Sequence, residues 1–260
     1  GAKKKTYVDD VFSTFLYEGN GSSGSSQSIN NGIDLAGEGG LVWFKPRESA
    51  DEHELIDTVR GRTKRIRSDS NEAEGNISTG TTYDLTSFNN NGFSLGAAGS
   101  SKVNWNGEDL ASWTFRKAPG FFDVVTFNTG NPRSTNQRVS HSLGCVPGMI
   151  LIKRADSSNN WLVHHRALGK EDYLTLNSNA AFTDGGGDTY VDPTATDFGY
   201  NAHMATGNDA DMVAYVFAGG ESTAATARSV EFDGSGDYLD CTGTGLATGT
   251  GNFTLDFWFK

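Results

Sequence analysis

Residues 40–47 read GLVWFKPR, and residues 148–154 read GMILIKR. Both stretches hold a glycine, four large apolar residues and a lysine in the same order, and they lie 108 positions apart. Successive side chains of a strand point to opposite faces, so four consecutive apolar residues place hydrophobic groups on both faces. Each stretch is therefore predicted to be a central strand that is covered on both sides.

The similarity extends well beyond these two strands. Residues 109–115 (DLASWTF) match residues 211–217 (DMVAYVF), and the apolar residues alternate or form short runs, as they do in strands. Clusters of Gly, Asn and Asp separate the strands, and these residues favour turns. The chain is therefore predicted to be all-β, with two tandem antiparallel β-sandwich domains of jelly-roll-like form at residues 1–117 and 118–220.

A third pattern follows the two copies. Residues 221–228 are small and mostly polar, which is typical of a linker. Residues 229–240 (SVEFDGSGDYLD) are predicted to form a hairpin, and residues 252–260 (NFTLDFWFK) alternate apolar and polar side chains as a strand does. Because so short a segment does not enclose a sandwich core, residues 229–260 are expected to be the truncated start of a third domain.

Composition and charge narrow the possible function classes. The chain has 260 residues and a formal net charge of −11, and so acidic a chain repels a phosphate backbone, so nucleic-acid binding is not expected. The 33 glycines and 16 phenylalanines favour short strands and turns over helices. No apolar run reaches the length of about 18 residues that a membrane-spanning helix needs, so membrane insertion is not expected either.

Two parts of the chain resemble known families. Residues 229–260 resemble the opening strands of concanavalin A-like lectin/glucanase (laminin-G-like) domains. The strings at 34–43 (DLAGEGGLVW) and 112–125 (SWTFRKAPGFFDVV) resemble tandem domains in virion structural proteins of marine tailed bacteriophages, cyanophages especially. The resemblance implies a non-enzymatic fibre, spike or appendage protein, attached to the particle through its N-terminal domains and contributing to host-surface adhesion.

The same resemblance implies the partners and the location of the protein. The partners are other virion proteins, further copies of the chain in a trimer, and a glycan of the host surface. The protein is made in the host cytoplasm and resides on the exterior of the phage particle. No cofactor is implied.

A carbohydrate-active enzyme, or its carbohydrate-binding module, is the alternative function, and the lectin-like start at 229–260 motivates it. Glucanases of this class place two carboxylates at a fixed separation, recognisable as E-x-D-x-x-E. Glu231 and Asp233 come nearest, but no second glutamate follows, so no catalytic residue is predicted. Asp233 and Asp237 bracket a GSG turn that either ligates calcium or, as we prefer, is capped by these side chains.

A dense basic run, RGRTKRIR, occupies residues 60–67. Its counterpart at 168–175 (LGKEDYLT) is not basic, so the run is interpreted as unnecessary for the fold. It is either a charged strand face in solvent or a contact surface for an acidic partner. The candidate contact residues are Arg60, Arg62, Lys64, Arg65 and Arg67.

A tryptophan between two asparagines is the candidate ligand-binding site. Asn104 and Trp105 lie in a predicted turn, and an exposed aromatic ring beside amides is suited to a sugar face. Simple packing within the turn is the competing interpretation, because the second copy lacks this loop. His164 and His165 are adjacent on a predicted strand and point to opposite faces, so they are not expected to share a metal. No metal ligand is predicted.

Overall fold

The computed structural model describes residues 6–22, 24–77, 82–130, 137–169, 171–184, 190–200 and 207–220. The predicted linker, the lectin-like segment and the candidate residues Glu231, Asp233 and Asp237 lie outside this part of the chain. Strands dominate the described residues, and the helical structure found among them is one short 3-10 turn at Val8–Asp10. None of the helical structure in the described residues is long and apolar enough to cross a membrane. The prediction of an all-β chain is confirmed at this level.

The strands follow the duplicated pattern of the sequence. In the first half they are β1 (Phe12–Glu18), β2 (Gln27–Asn30), β3 (Gly40–Pro46), β4 (Glu54–Asp57), β5 (Lys64–Arg65), β6 (Gly75–Asn76), β7 (Leu85–Asn89), β8 (Gly92–Leu95) and β9 (Asp109–Arg116). In the second half they are β10 (Phe122–Asn128), β11 (Gln137–Ser140), β12 (Pro147–Arg154), β13 (Leu162–His165), β14 (Asp172–Thr175), β15 (Thr183–Asp184), β16 (Tyr190–Val191), β17 (Asp197–Tyr200) and β18 (Asp211–Ala218).

Each half builds one large and one small sheet from its own strands. The large sheets have the orders β1-β9-β3-β4 and β10-β18-β12-β13-β14-β15, and the small ones have the orders β2-β8-β7 and β11-β17-β16. The short strands β5 and β6 form a separate pair. Pairing between named strands is antiparallel throughout. In both halves the opening strand pairs with the last strand, which pairs with the repeated central strand, so the duplication is visible in the topology.

A hydrophobic core joins the large and the small sheet of each half. In the first half, Val42 and Phe44 of β3 belong to the same buried cluster as Phe93 of β8. In the second half, Ile150 and Ile152 of β12 share a buried cluster with residues that include Phe198 of β17. Burial of apolar surface between the two sheets is the main favourable contribution to the stability of each half.

A third hydrophobic cluster joins the two halves to each other. It contains Leu41 of β3 and Leu55 of β4 from the first half, together with Leu151 of β12, Trp161 and Tyr215 of β18 from the second half. The side chains of β3 and β12 that point away from their own small sheets therefore meet in this shared core. The prediction that both strands are covered on both faces is confirmed, and the second cover of each is the other half.

Close backbone contacts explain why each of the two repeated stretches begins with a glycine. A Cβ atom on Gly40 would lie 2.1 Å from the carbonyl oxygen of Phe115, and one on Gly148 would lie 2.3 Å from the Cα of Gly219. Neither position has room for a side chain, since neighbouring backbone rather than a flexible side chain fills the space.

Candidate functional site

Arg60 of the basic run is buried where the two halves meet, with 4% of its side chain exposed. Its Nε lies 2.6 Å from Asp57 Oδ2 and its Nη1 lies 3.2 Å from Glu74 Oε2. Its Nη2 donates to the Tyr215 hydroxyl at 2.9 Å, and that hydroxyl donates to Asp57 Oδ2 at 2.9 Å. These contacts form a buried network that holds β18 of the second half against the turn after β4.

The network fixes the charge states of its members. Burial by itself would lower the pKa of the Arg60 guanidinium, but Tyr215, Asp57 and Glu74 raise it above the ordinary value, so Arg60 stays charged. Burial raises the pKa of the Tyr215 hydroxyl well above its ordinary value, so Tyr215 stays neutral and donates its proton to Asp57. A buried ion pair with complete hydrogen bonding of this kind sets a specific geometry between packed elements.

Arg65 and Arg67 converge on a second buried carboxylate, that of Glu54. Glu54 is 3% exposed, and its Oε1 lies 2.9 Å from Arg65 Nη1 and 3.3 Å from Arg67 Nε. The same Arg65 nitrogen donates to the Ser100 carbonyl at 3.0 Å. Burial raises the pKa of Glu54 to about 7, although both arginines act to lower it.

The other two members of the run also contact groups within the chain. Lys64 Nζ lies 3.0 Å from Glu74 Oε1, and Arg62 Nη1 donates to the Leu85 carbonyl at 3.2 Å. The interpretation that the run is unnecessary for the fold is therefore corrected, because Arg60 and Arg65 form ion pairs with carboxylates that the fold buries. Contact with an acidic partner stays a prediction, with Lys64 available at 38% side-chain exposure.

Asn104 has its amide group committed inside the protein. Its Oδ1 accepts from the Asn20 backbone nitrogen at 3.0 Å and from Gln27 Nε2 at 2.6 Å, while its Nδ2 donates to the Gly96 carbonyl at 2.6 Å. The residue is fully buried. Binding a ligand through this amide would break internal hydrogen bonds, so the structure gives Asn104 a positioning role for the loop.

Trp105 is the part of the predicted ligand site that solvent reaches, with 39% of the residue exposed. Lys102 Nζ lies 4.0 Å from the centre of the indole ring, and the same nitrogen lies 2.7 Å from Asp51 Oδ1. An indole beside a cation and a carboxylate offers an apolar face and polar groups together, a combination that suits a sugar ring. Ligand binding by Trp105 stays a prediction.

An open cleft of about 620 Å³ lies beside the buried arginine network and was not anticipated from the sequence. Its lining includes Arg60, Lys64 and Glu74 from the first half and Asp156 and Asp211 from the second half. These groups bring cations and carboxylates together, so the cleft is suited to polar rather than apolar ligands. The spacing of Asp57 and Arg60 was visible in the sequence, but no local signal placed Tyr215 or Asp211 near them.

The histidine pair lies on β13. His164 pairs with Ile150 and is buried, whereas His165 pairs with Met149, and adjacent strand residues point to opposite faces. Burial lowers the pKa of His164, so this imidazole stays neutral near pH 7. No group of three His, Cys, Asp or Glu side chains that could hold a metal ion occurs in the part of the chain that the structure describes.

The chain was compared with known proteins at the level of family, curated sequence and solved structure. The model of a family described as Domain of unknown function (DUF7483) matches residues 8–235, which is most of the chain. The match runs through both halves, so the family model treats the duplicated halves as one unit. The comparison with curated proteins and the comparison with solved structures found no match. The family description names neither a phage nor a lectin.

Proposed function

The chain belongs to the DUF7483 family, and from its sequence resemblance we propose that it is a non-enzymatic structural protein of a bacteriophage virion, as a fibre, spike or appendage. The shared core between the halves is the observation that carries the proposal. Leu41 and Leu55 pack with Leu151 and Tyr215 in one buried cluster, so the halves form a rigid block and not two tethered modules. A rigid block suits a part of a particle that must transmit load or hold a fixed distance.

The proposal extends to architecture and partners. Each half is a β-sandwich of jelly-roll-like form, supported by the hydrophobic cluster between its large and small sheets. Residues 229–260 have the lectin-like sequence pattern. The N-terminal block contacts other virion proteins and further copies of the chain, and the lectin-like part meets a host-surface glycan on the particle exterior. The sequence resemblance supports these assignments.

Immunogold electron microscopy tests the virion assignment. Antibodies raised against the purified 260-residue chain are applied to purified particles of the phage that encodes it, and the particle proteins are identified by mass spectrometry. Gold at one defined position on the particle surface, with the chain present among the particle proteins, supports the proposal. A chain that is made during infection and is missing from purified particles contradicts it.

A carbohydrate-binding module is the second candidate, and the exposed indole of Trp105 favours it. A glycan array probed with the full chain and with Trp105→Ala tests it, with Trp113→Phe as a control that keeps an aromatic side chain on the partly buried strand position. Loss of glycan binding in Trp105→Ala alone assigns binding to this loop. A full chain that retains no glycan contradicts the module.

A further inference from the structure

Among the described residues, β1 is an edge strand of the first large sheet, with β9 as its one strand neighbour. The Arg116 amide donates to the Val11 carbonyl and the Gly19 amide donates to the Glu108 carbonyl, at 2.8 Å each. Hydrogen-bonding direction alternates along an antiparallel strand, so the odd-numbered residues of β1 bond to β9 and the even-numbered ones point outward. The outward N–H and C=O groups of Thr14 and Leu16 have no hydrogen-bond partner among the described residues.

This edge lacks the features that usually prevent strand addition. Charged residues, prolines and bulges protect edge strands in most proteins. β1 pairs with β9 in a continuous register, and Glu18 is its single charged residue. Leu16 is 58% exposed. The Glu18 carbonyl accepts from Gln27 Nε2 at 3.1 Å, so the open part of the edge runs from Phe12 to Leu16.

The equivalent edge of the second half is occupied at its start by the chain itself. On β10, the Phe122 carbonyl accepts from Ala118 at 2.9 Å and the Phe122 amide donates back to Ala118 at 3.2 Å. Val124, which occupies the place of Thr14, is 1% exposed and belongs to the core shared by the two halves. The two halves therefore differ at the start of this edge strand, because Phe122 bonds to Ala118 and no such bond is made by Phe12 among the described residues.

We propose that β1 pairs antiparallel with β1 of a second copy of this chain, across a two-fold axis at Thr14. In this register Thr14 faces Thr14 of the other copy, and Phe12 faces Leu16. All three residues direct their backbone groups outward, so each facing pair exchanges hydrogen bonds. Thr–Thr and aromatic–aliphatic pairs are favourable across strands, and the paired segment from Phe12 to Leu16 contains no charged residue.

Two further observations favour a second copy as the occupant. The open segment is self-complementary about Thr14, and the pairing ends where the Glu18 carbonyl is already bonded to Gln27. The side chains of Phe12, Thr14 and Leu16 share one face of the sheet, and this face continues the contact between the two halves. The ring of Phe12 lies 4.9 Å from that of Phe115, which lies 5.5 Å from that of Phe122 in the second half. The dimer extends this packed surface. A two-fold contact gives dimers, in place of the trimer that the sequence resemblance implies.

Charge substitutions at the axis test the contact. The full chain is measured by light scattering over a concentration series, and we expect a dimer. Thr14→Lys and Thr14→Glu each place like charges opposite each other and weaken the dimer about fivefold, whereas an equimolar mixture of the two restores it. Thr126→Lys on β10 is the matched control and leaves the dimer unchanged. Circular dichroism verifies that each variant is folded.

Disulfide trapping gives a second readout that does not depend on the strength of association. In a Cys145→Ser, Cys241→Ser background, Thr14→Cys is expected to form a dimer under mild oxidation, because facing hydrogen-bonded residues have Cα atoms about 5.5 Å apart. Glu18→Cys, beyond the pairing, is the control and remains monomeric. A monomeric full chain, or an oligomer that ignores all Thr14 substitutions and traps no Thr14→Cys dimer, overturns the proposal. These outcomes are independent of the virion experiment.

Discussion

Arg60 and Lys64 stand four positions apart in one basic run, yet the fold gives them different roles. Arg60 is buried against Asp57, Glu74 and Tyr215, whereas Lys64 has more than a third of its side chain in solvent. A charge that is buried with its partners stabilises a geometry, and the same charge in solvent contributes little. At the scale of single residues, burial and not residue type decides the role.

Removal of Arg60 should strongly destabilise the protein. Arg60→Met leaves the Asp57 carboxylate buried without its cation, and breaking a buried pair in this way costs about 3–5 kcal/mol of the free energy of unfolding. Urea denaturation measures the loss. The control is Arg47→Met, because Arg47 and Asp109 form an exposed pair at 3.5 Å and its loss costs about 0–1 kcal/mol. Equal costs for the two variants would contradict a structural role for Arg60.

Glu54 should make stability depend on pH. Its pKa is raised from 4.5 to about 7 in the folded protein, so the folded state binds the proton more tightly than the unfolded state does. The resulting stabilisation is complete below pH 4.5 and is lost as the pH rises through 7. The difference in free energy of unfolding between the wild type and Glu54→Gln should therefore change with pH. The wild-type value should fall by up to about 3 kcal/mol more than the variant's as the pH rises through this window.

Urea denaturation at a series of pH values measures this difference. Glu52→Gln is the control, because Glu52 is about half exposed and has a weak contact with Arg67 at 3.6 Å. Glu52 is the last of the causes that raise the pKa of Glu54, so Glu52→Gln should change the pH dependence of stability less than Glu54→Gln does. A difference between wild type and Glu54→Gln that does not vary with pH would show that the two arginines cancel the effect of burial.

At the scale of elements, the repeated stretch begins where two backbones touch. Gly40 approaches the carbonyl of Phe115, and Gly148 approaches the backbone of Gly219. The contacted residues lie on or directly after the last strand of each half, β9 and β18. The glycine therefore lets the central strand start close beside its neighbour, and the duplicated motif reflects this packing requirement.

Gly148→Ala should shift the start of β12. Its Cβ would lie 2.3 Å from Gly219 Cα, so the backbone must move, which costs about 1–3 kcal/mol of stability. Thermal unfolding followed by circular dichroism detects the loss. Gly169→Ala is the control: the nearest atom to its Cβ is Asp172 Oδ2 at 3.4 Å, so the change should stay within about 0.5 kcal/mol. Unchanged stability of Gly148→Ala would show that the strand start is adaptable.

At the scale of the whole described block, the shared core couples the halves. Leu41 and Leu55 of the first half are buried against Leu151, Trp161 and Tyr215 of the second half. Separation would expose this apolar surface on both sides, and the cost rises with the area exposed. The duplicated halves are therefore interdependent despite each having a core of its own.

The halves should unfold together. The wild-type chain should show the same urea midpoint when unfolding is followed by tryptophan fluorescence and by circular dichroism. Leu151→Ala should lower both midpoints together, with a loss of about 2–5 kcal/mol, because Leu151 is 3% exposed in the shared core. Leu174→Ala is the control, because Leu174 is exposed and lies outside the shared core. Two separate midpoints would show that the halves are independent folding units.

The sequence by itself determined the strands, the duplication and the burial of both faces of β3 and β12, because hydrophobic periodicity and turn residues act over short distances along the chain. The tertiary structure decided what covers the second face, which members of the basic run are buried, and that the Asn104 amide is used internally. These outcomes depend on contacts such as that between Arg60 and Tyr215, 155 positions apart. No local pattern encodes such a contact, because it exists only once the two halves have packed together.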